Sequence, residues 1–553
     1  MSCRARYSNI GITSPTTPSS TALPAMSMNA SMASAPSLAS ACIAQSIPLP
    51  SVFGANILSL HATPVTNFSL PSIPIQVWTK SQFDAVDFCN VTVKYSRPGS
   101  DHNITVQVYL PPLSEWNGRF LGAGGSGYAA TQGLVTTIPP VDAGFAVAST
   151  DGGVSTLEFS SAEWTLLSPG NPDYARINIW SSAVLNDLSI IGKSVTNSFY
   201  GQTAAHSYWV GCSQGGRQGN MIAQRYPDAF DGIVALAPAI NWADFFPSMQ
   251  FPHQLMHESD YAVPACEREA ITSAALNACD GLDGLVDGVL SRPDLCKFDP
   301  LTLIGKSYNC DGTNKTFTTE GVKIIQDTWT GPRAADGSFL WYGYGPDADL
   351  SYVANTTCTD QKNCTVAPFS LSQDWLQLWV AEDPTLNMSN LTRDDFTTLL
   401  HQGINRYDSI VSARDPDISN FRNRGGKMLT WHGYTDQLIP YQGSQNYHDR
   451  VRELDANVDD YFRLFLAPGT QHCVPGNGHF PTNVLQDLID WVEKGIAPDQ
   501  LTTVNLTNVD PTTGMLMGNQ TTGRGRPICM YPKVQEYISG DADMMNSFRC
   551  VMP

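Results

Sequence analysis

The sequence predicts an α/β protein: a mostly parallel sheet with helices on both faces, interrupted by a large insertion. Three observations carry this reading. Short apolar runs alternate with helical patterns through two stretches of the chain, the mark of parallel strands joined by crossover helices. One apolar run ends in Gly211-Cys212-Ser213-Gln214-Gly215, a G-x-S-x-G set between a strand and a helix. The alternation stops near Trp242 and resumes at "GGKMLTWHGYTD", and the stretch between them holds cysteines, sequons and many turns.

In chain order, residues 1–41 are rich in Ser, Ala, Pro and Thr and read as a disordered leader or signal-like segment. This leader lacks the apolar core of a plain signal peptide. From Phe88, "FCNVTVKYSRPGSDHNITVQVYLPP" alternates β-branched residues around a Pro-Gly turn, which predicts a hairpin. "GRFLGAGGSGY" runs from an apolar segment into a glycine-rich loop, and "AGFAVASTDGG" repeats the pattern. Helical spacing covers roughly 177–198, followed by strand "SYWVGC", helix "RQGNMIAQRYP" and strand "DGIVALAPA". After the insertion come a helix over Gln442–Leu454, the strand "YFRLFLAPG" and a helix over Val484–Lys494. The expected organisation is one α/β domain in two parts, 42–241 and 408–553, with a second domain inserted over 242–407.

At 553 residues the chain exceeds the usual single core. Its formal charge of −19, from 32 Lys+Arg against 51 Asp+Glu, excludes a nucleic-acid partner, which needs basic surface. No apolar run reaches the roughly 18 residues of a membrane span, so no membrane partner is expected. Thirteen cysteines without paired CxxC spacing point to disulfides and an oxidising compartment. Sequons at Asn67, Asn90, Asn103, Asn314, Asn355, Asn363, Asn387, Asn390, Asn505 and Asn519 point the same way, to a secreted glycoprotein.

The chemistry centres on Ser213. Small residues flank it because the strand-to-helix turn of this motif is strained, and the turn raises Oγ above the sheet. That context specifies the α/β-hydrolase fold, in which the serine is followed in sequence by an acid and then a histidine, each on a loop after a strand. Asp436 follows the strand "KMLTWHGYT" and His472 follows "YFRLFLAPGTQ". The histidine takes the serine's proton, and the carboxylate holds its tautomer. His432 lies inside its strand and reads as structural, while His206 precedes the serine and has the wrong order. Cys212 precedes the serine and Cys473 follows the histidine, so contact between Ser213 and His472 would bring these sulfurs within bridging distance.

These residues resemble the fungal tannase and feruloyl esterase family. The resemblance is carried by "GCSQGGRQG", "AQRYPDAFDGIVALAPAINW", "HGYTDQLIP", "APGTQHC", "FCNVTV" and "WNGRFLGAGGSGY", and extends from about Cys42 to Cys550. It implies a secreted serine carboxylic ester hydrolase acting on phenolic acid esters, either gallate esters or feruloyl and related hydroxycinnamoyl esters. It also implies a lid over the site, a Cys212–Cys473 disulfide, and Ser213, Asp436 and His472 as the triad. Two other classes are weighed against it: an inactive hydrolase fold serving as a binding protein, and a hydrolase of other esters or amides. The intact triad order argues against the first and the resemblance against the second.

The backbone N–H of Gln214, after the nucleophile, is expected to hold the oxyanion together with one from the glycine loop, assigned to Gly125. In the insertion, "CDGLDGLVDGV" offers carboxylates at Asp280, Asp283 and Asp287 and carbonyls at Leu285 and Val289. These are hard oxygen donors on a flexible turn, suited to Ca²⁺ in a structural role, and the resemblance implies the same five positions. Cys279 with Cys296, Cys529 with Cys550 and Cys42 with Cys89 are expected to pair. The pairing of Cys266, Cys310, Cys358 and Cys364 stays open.

Overall fold

Nine strands form the central sheet of the computed structural model, which describes residues 37–553 except 72, 74–77, 79, 81, 360–362 and 507–524. They are β1 (Asn56–Leu70), β2 (Phe83–Ser96), β3 (Asn103–Leu110), β4 (Arg119–Ala123), β5 (Ala146–Thr150), β6 (His206–Cys212), β7 (Gly232–Leu236), β8 (Lys427–Gly433) and β9 (Phe462–Ala467). The spatial order is β1-β2-β3-β5-β4-β6-β7-β8-β9. The first three strands form an antiparallel meander, with the predicted hairpin as β2 and β3, and β3 meets β5 antiparallel. From β5 to β9 every pairing is parallel.

Period-two alternation sends side chains of one strand to opposite faces, and each face packs on its own helices. Trp209 of β6, with Ile233, Ala235 and Met428, meets Leu188 and Ile191 of α2 (Val184–Tyr200) and Met221 and Ile222 of α3 (Gln214–Arg225). Tyr208 and Val210, with Val234, Leu429 and Trp431, meet Ile138 of α1 (Leu134–Asp142) and Leu488 and Trp491 of α9 (Val484–Lys494). The sheet is therefore covered on both faces, as its near-continuous apolar strands require.

The insertion builds a third core of its own. Its main helices are α4 (Trp242–Glu258), α5 (Ala265–Cys279), α6 (Thr319–Thr330) and α7 (Arg393–Val411). Around them pack Trp242, Phe246, Trp375, Trp379 and Tyr407, joined by Tyr128, Trp164 and Trp180 from the sheet-bearing part. The expected boundary at 407 falls inside α7, which runs on to Val411 before the Ala413 amide meets the Ile240 carbonyl. The helix expected at 177–198 is longer, running from Tyr174 to Tyr200 with a π-turn over Ile179–Ala183. The remaining long helix is α8 (Gln442–Leu454).

Of the segment 1–41 read as a leader, residues 1–36 lie outside the described residues, as does Asn519. Residues 37–41 depart from that reading. Ser37 caps a helical turn over Leu38–Ala41, Leu38 and Ala41 pack on the sheet core, and Cys42 bonds Cys89. That bond explains the difference, because it tethers the chain to β2 just where the turn ends. No described helix is long and apolar enough to cross a membrane.

One buried charge cluster ties the meander to the helical layer. Asp187 of α2 is fully buried and accepts from the Tyr95 hydroxyl at 2.9 Å and from Arg97 Nε at 2.8 Å. Burial, and then the Asp187 charge, push the Tyr95 hydroxyl well above its ordinary pKa. Asp187→Ala would strand the guanidinium and the phenol together. The expected loss is about 3 kcal/mol, read as a lower urea midpoint with an unchanged denaturant slope.

Candidate active site

Ser213 sits between the end of β6 and the start of α3 at φ 60°, ψ −119°, a region a side chain occupies only when its surroundings hold it. Those surroundings are specific. The Ser213 amide donates to Leu236 O at 2.9 Å, and its carbonyl accepts from Arg217 N at 2.9 Å and Ala239 N at 3.1 Å. Gly211 is required because a Cβ there would lie 2.5 Å from the Gly215 carbonyl carbon.

Asp436 follows β8 in a fully buried site and saturates its carboxylate. Oδ1 accepts the amides of Leu438 at 2.9 Å and Ile439 at 2.7 Å. Oδ2 accepts His472 Nδ1 at 2.7 Å and faces His432 Nε2 at 3.0 Å. Burial alone would raise this carboxyl, but the two histidines, His472 first, hold it far below the usual carboxylate range.

His472 lies on the loop after β9, with its amide donated to Gln437 Oε1 at 2.9 Å. The Cys212–Cys473 disulfide joins this loop to the elbow, with the two Cα atoms 6.0 Å apart. Among the described residues Ser213 Oγ and His472 make no hydrogen bond to each other, and both line one cavity. Such contacts commonly tighten only when substrate is bound.

That cavity, about 270 Å³, is mostly apolar. Trp242, Phe245, Phe246, Met249 and Leu371 of the insertion line it, together with Leu438, Ile439 and Val474. Phe245 and Phe246 thus reach the site. Trp375 and Trp379, also aromatic residues of the insertion, are wholly buried in its core instead. Glu158 also lines the cavity, with Ser126 and Gln132. Burial raises its carboxyl, against hydrogen bonds from those two side chains. Glu158 was missed in the sequence because it lies in an irregular loop with no motif around it.

The oxyanion donors need one correction. The Gln214 N–H, first in α3, has no acceptor among the described residues and stands at a helix N-terminus, where negative charge is favoured. The Gly125 N–H does not face the cavity: it is donated to Gln218 Oε1 at 2.9 Å, because a buried amide must find an acceptor and Gln218 lies one turn into α3. Gly125 is a glycine for packing, since a Cβ would lie 2.2 Å from Ala129 O. Two residues on, Gly127 lines the cavity and its N–H has no acceptor among the described residues.

The acidic loop of the insertion lies apart from this cavity. Asp280 accepts the amides of Asp287 and Gly288, Asp283 accepts that of Leu285, and Asp287 accepts that of Val289. Asp287 Oδ2 also pairs with Arg526 Nη2 at 2.6 Å. Among the described residues no three His, Cys, Asp or Glu side chains converge as a metal cluster. The donor chemistry nonetheless fits a hard cation in kind. Burial raises the Asp283 carboxyl and the nearby Asp287 charge adds to it, while Arg526 offsets part of the charge on Asp287. The disulfides are Cys42–Cys89, Cys212–Cys473, Cys266–Cys310, Cys279–Cys296, Cys358–Cys364 and Cys529–Cys550.

The sheet order, the elbow between strand and helix, and a buried Asp–His pair on later strand-end loops define the class: an α/β-hydrolase. The chain belongs to the tannase and feruloyl esterase family, whose model matches residues 89–551, and is a carboxylic ester hydrolase. It is 36% identical to a probable feruloyl esterase of Arthroderma benhamiae over 91% of this chain and 93% of that one. It is 28% identical to a tannase of Aspergillus oryzae, covering 81% and 83%. Among solved structures it resembles tannin acyl hydrolase from Aspergillus niger, with TM-score 0.82, 28% identity, and 94% and 96% of the two chains covered.

Replacing Cys212 and Cys473 together by serine is expected to cost about 2–4 kcal/mol of stability. It should also lower kcat in the protein that remains folded, because the His472 loop loses its tether to the elbow. Thermal melts and ester hydrolysis below the lowered melting point separate the two effects.

Proposed function

We propose that the enzyme hydrolyses esters of phenolic acids through an acyl-enzyme formed on Ser213. The observation that carries this is the cavity: aromatic and aliphatic walls of ring-sized volume, opening on Ser213 and His472, with the Glu158 carboxyl in its lining. Such walls suit an aromatic acyl group, and a carboxyl held by Ser126 and Gln132 suits its phenolic hydroxyls. The relatives named tannase and feruloyl esterase support the same substrate class.

Ser213 Oγ attacks the ester carbonyl carbon while His472 Nε2 takes its proton. Asp436 holds Nδ1–H of His472 and stabilises the imidazolium. The amides of Gln214 and Gly127 meet the charge that develops on the carbonyl oxygen. As the tetrahedral intermediate collapses, the C–O bond to the alcohol breaks and His472 returns the proton to that oxygen. A water, activated by His472, then repeats the addition and releases the acid.

Methyl gallate and methyl ferulate compared side by side would name the acyl group. Ser213→Ala is expected to lower kcat on the preferred ester at least about 10⁴-fold. Residual release at the wild-type rate would sink the assignment.

Export from the cell follows on this reading. Six disulfides suit an oxidising compartment, and sequon residues such as Asn103, Asn314 and Asn387 are exposed for glycosylation. The acidic loop is proposed to take Ca²⁺ through Asp280, Asp283 and Asp287 with the carbonyls of Leu285 and Val289, bracing the lid without entering the chemistry. Ca²⁺ at a hundred times its Kd would then raise stability by about 2.7 kcal/mol. EGTA should lower the melting temperature and added Ca²⁺ restore it; a melt indifferent to both would exclude the ion.

A further inference from the structure

His432, in β8, is buried without exposure, and its ring touches polar atoms on both sides. Nδ1 lies 2.8 Å from Ser444 Oγ at the start of α8. Nε2 lies 3.0 Å from Asp436 Oδ2 and 3.0 Å from the Ile439 carbonyl oxygen. A carboxylate and a carbonyl can only accept, so Nε2 carries the proton. In the neutral tautomer with the proton on Nε2, Nδ1 is an acceptor to which the Ser444 hydroxyl donates. The direction of the chain follows: Ser444 O–H to His432 Nδ1, His432 Nε2–H to Asp436 Oδ2, with His472 Nδ1–H donating to that same oxygen.

We infer that His432, oriented by Ser444, is a positioning residue that fixes the Asp436 carboxylate and limits its pull on the His472 proton. Two consequences distinguish this from packing. The first is geometric. With Leu438 and Ile439 amides on Oδ1 and His432 on Oδ2, the carboxylate cannot rotate, so Oδ2 stays aimed at His472 Nδ1. The second is electrostatic. A second N–H donor on Oδ2 offsets part of the negative charge that His472 feels. Removing it makes Asp436 a stronger base, stabilises the His472 imidazolium and raises the pH at which His472 loses its proton. The other groups facing the pair are few. Tyr344 of the lid feels the Asp436 charge and donates to Leu438 O at 3.3 Å, and Gln437 holds the His472 amide.

The inference rests on the triad reading, so its test reads His472 directly as well as through catalysis. His432→Leu removes both ring nitrogens at similar volume. His432→Gln keeps a donor near Nε2 and an acceptor for Ser444. Ser444→Ala removes only the hydroxyl that fixes the ring. His472 titration is followed by NMR of histidine-labelled protein, and kcat and KM by ester hydrolysis across pH. The Leu variant is expected to lose ten- to a thousandfold in kcat with KM little changed, less than the roughly 10⁴-fold loss of a triad carboxylate. Its His472 titration and the acidic limb of kcat/KM should move to higher pH. The Gln variant should recover at least a tenth of wild-type kcat, and Ser444→Ala should show the same upward shift in smaller measure. If His432→Leu does not fold, the Ser444→Ala titration decides. An unchanged His472 titration in folded variants, or a Gln variant no better than Leu, overturns the inference. A wild type inert on every ester whose His472 titration still moves in the variants leaves it standing and removes the substrate reading instead.

Discussion

The left-handed backbone at Ser213 is the constraint around which the molecule is arranged. A residue with a side chain pays roughly 1–3 kcal/mol to sit there, and here the cost is met by contacts from several directions. β7 supplies the Leu236 carbonyl, the segment after it the Ala239 amide, and the glycine loop the Gly125 carbonyl that accepts from Gly215 N at 3.0 Å. Each contact needs the backbones close together, which is why glycines crowd this end of the sheet. The same crowding leaves the Gln214 amide and the serine Oγ facing the cavity.

The insertion is held to this elbow by buried polar contacts as well as by its aromatic core. Arg217 of α3 is wholly buried, donates to Gln214 Oε1, Ser181 O and Val411 O, and lies over the rings of Trp180 and Trp242. Burial lowers its pKa to about 9. Asp374 reaches back to the Ser160 hydroxyl and the Ser161 amide, and Trp379 to the Ser161 hydroxyl. The loop carrying Glu158 is therefore pinned by the lid core on one side and opens on the cavity with the other. Lid packing and pocket shape are one structural problem, and a change in the aromatic core would be felt at the acyl group.

Much of the arrangement was legible because the elements concerned obey local rules. The hairpin of β2 and β3, the strand before Ser213, and helices α8 and α9 follow directly from period and turn chemistry. Ser213, Asp436 and His472 stood out because each ends or follows a strand, in the order the motif calls for, and the structure places all three at strand ends. What the sequence misread or left open is of another kind. Gly125 looked like a free amide, and only its burial beside Gln218 removes it from the cavity. Trp375 and Phe246 are alike in sequence, yet one is core and the other lining. His432 is the buried histidine that its place inside a strand suggested, and only the fold shows its contact with Asp436, four residues on.

By itself the sequence determined the sheet, its interruption, the serine, aspartate and histidine placed at successive strand ends, and the cysteines beside two of them. These depend on short-range patterns of burial and backbone conformation, which neighbouring residues encode. Tertiary structure alone decided which amides remain free, which aromatic rings face the cavity, and that one carboxylate oxygen serves two histidines. Those outcomes depend on where donors and acceptors from distant segments meet in a buried site, where every polar group must be satisfied and none is free to choose its partner locally.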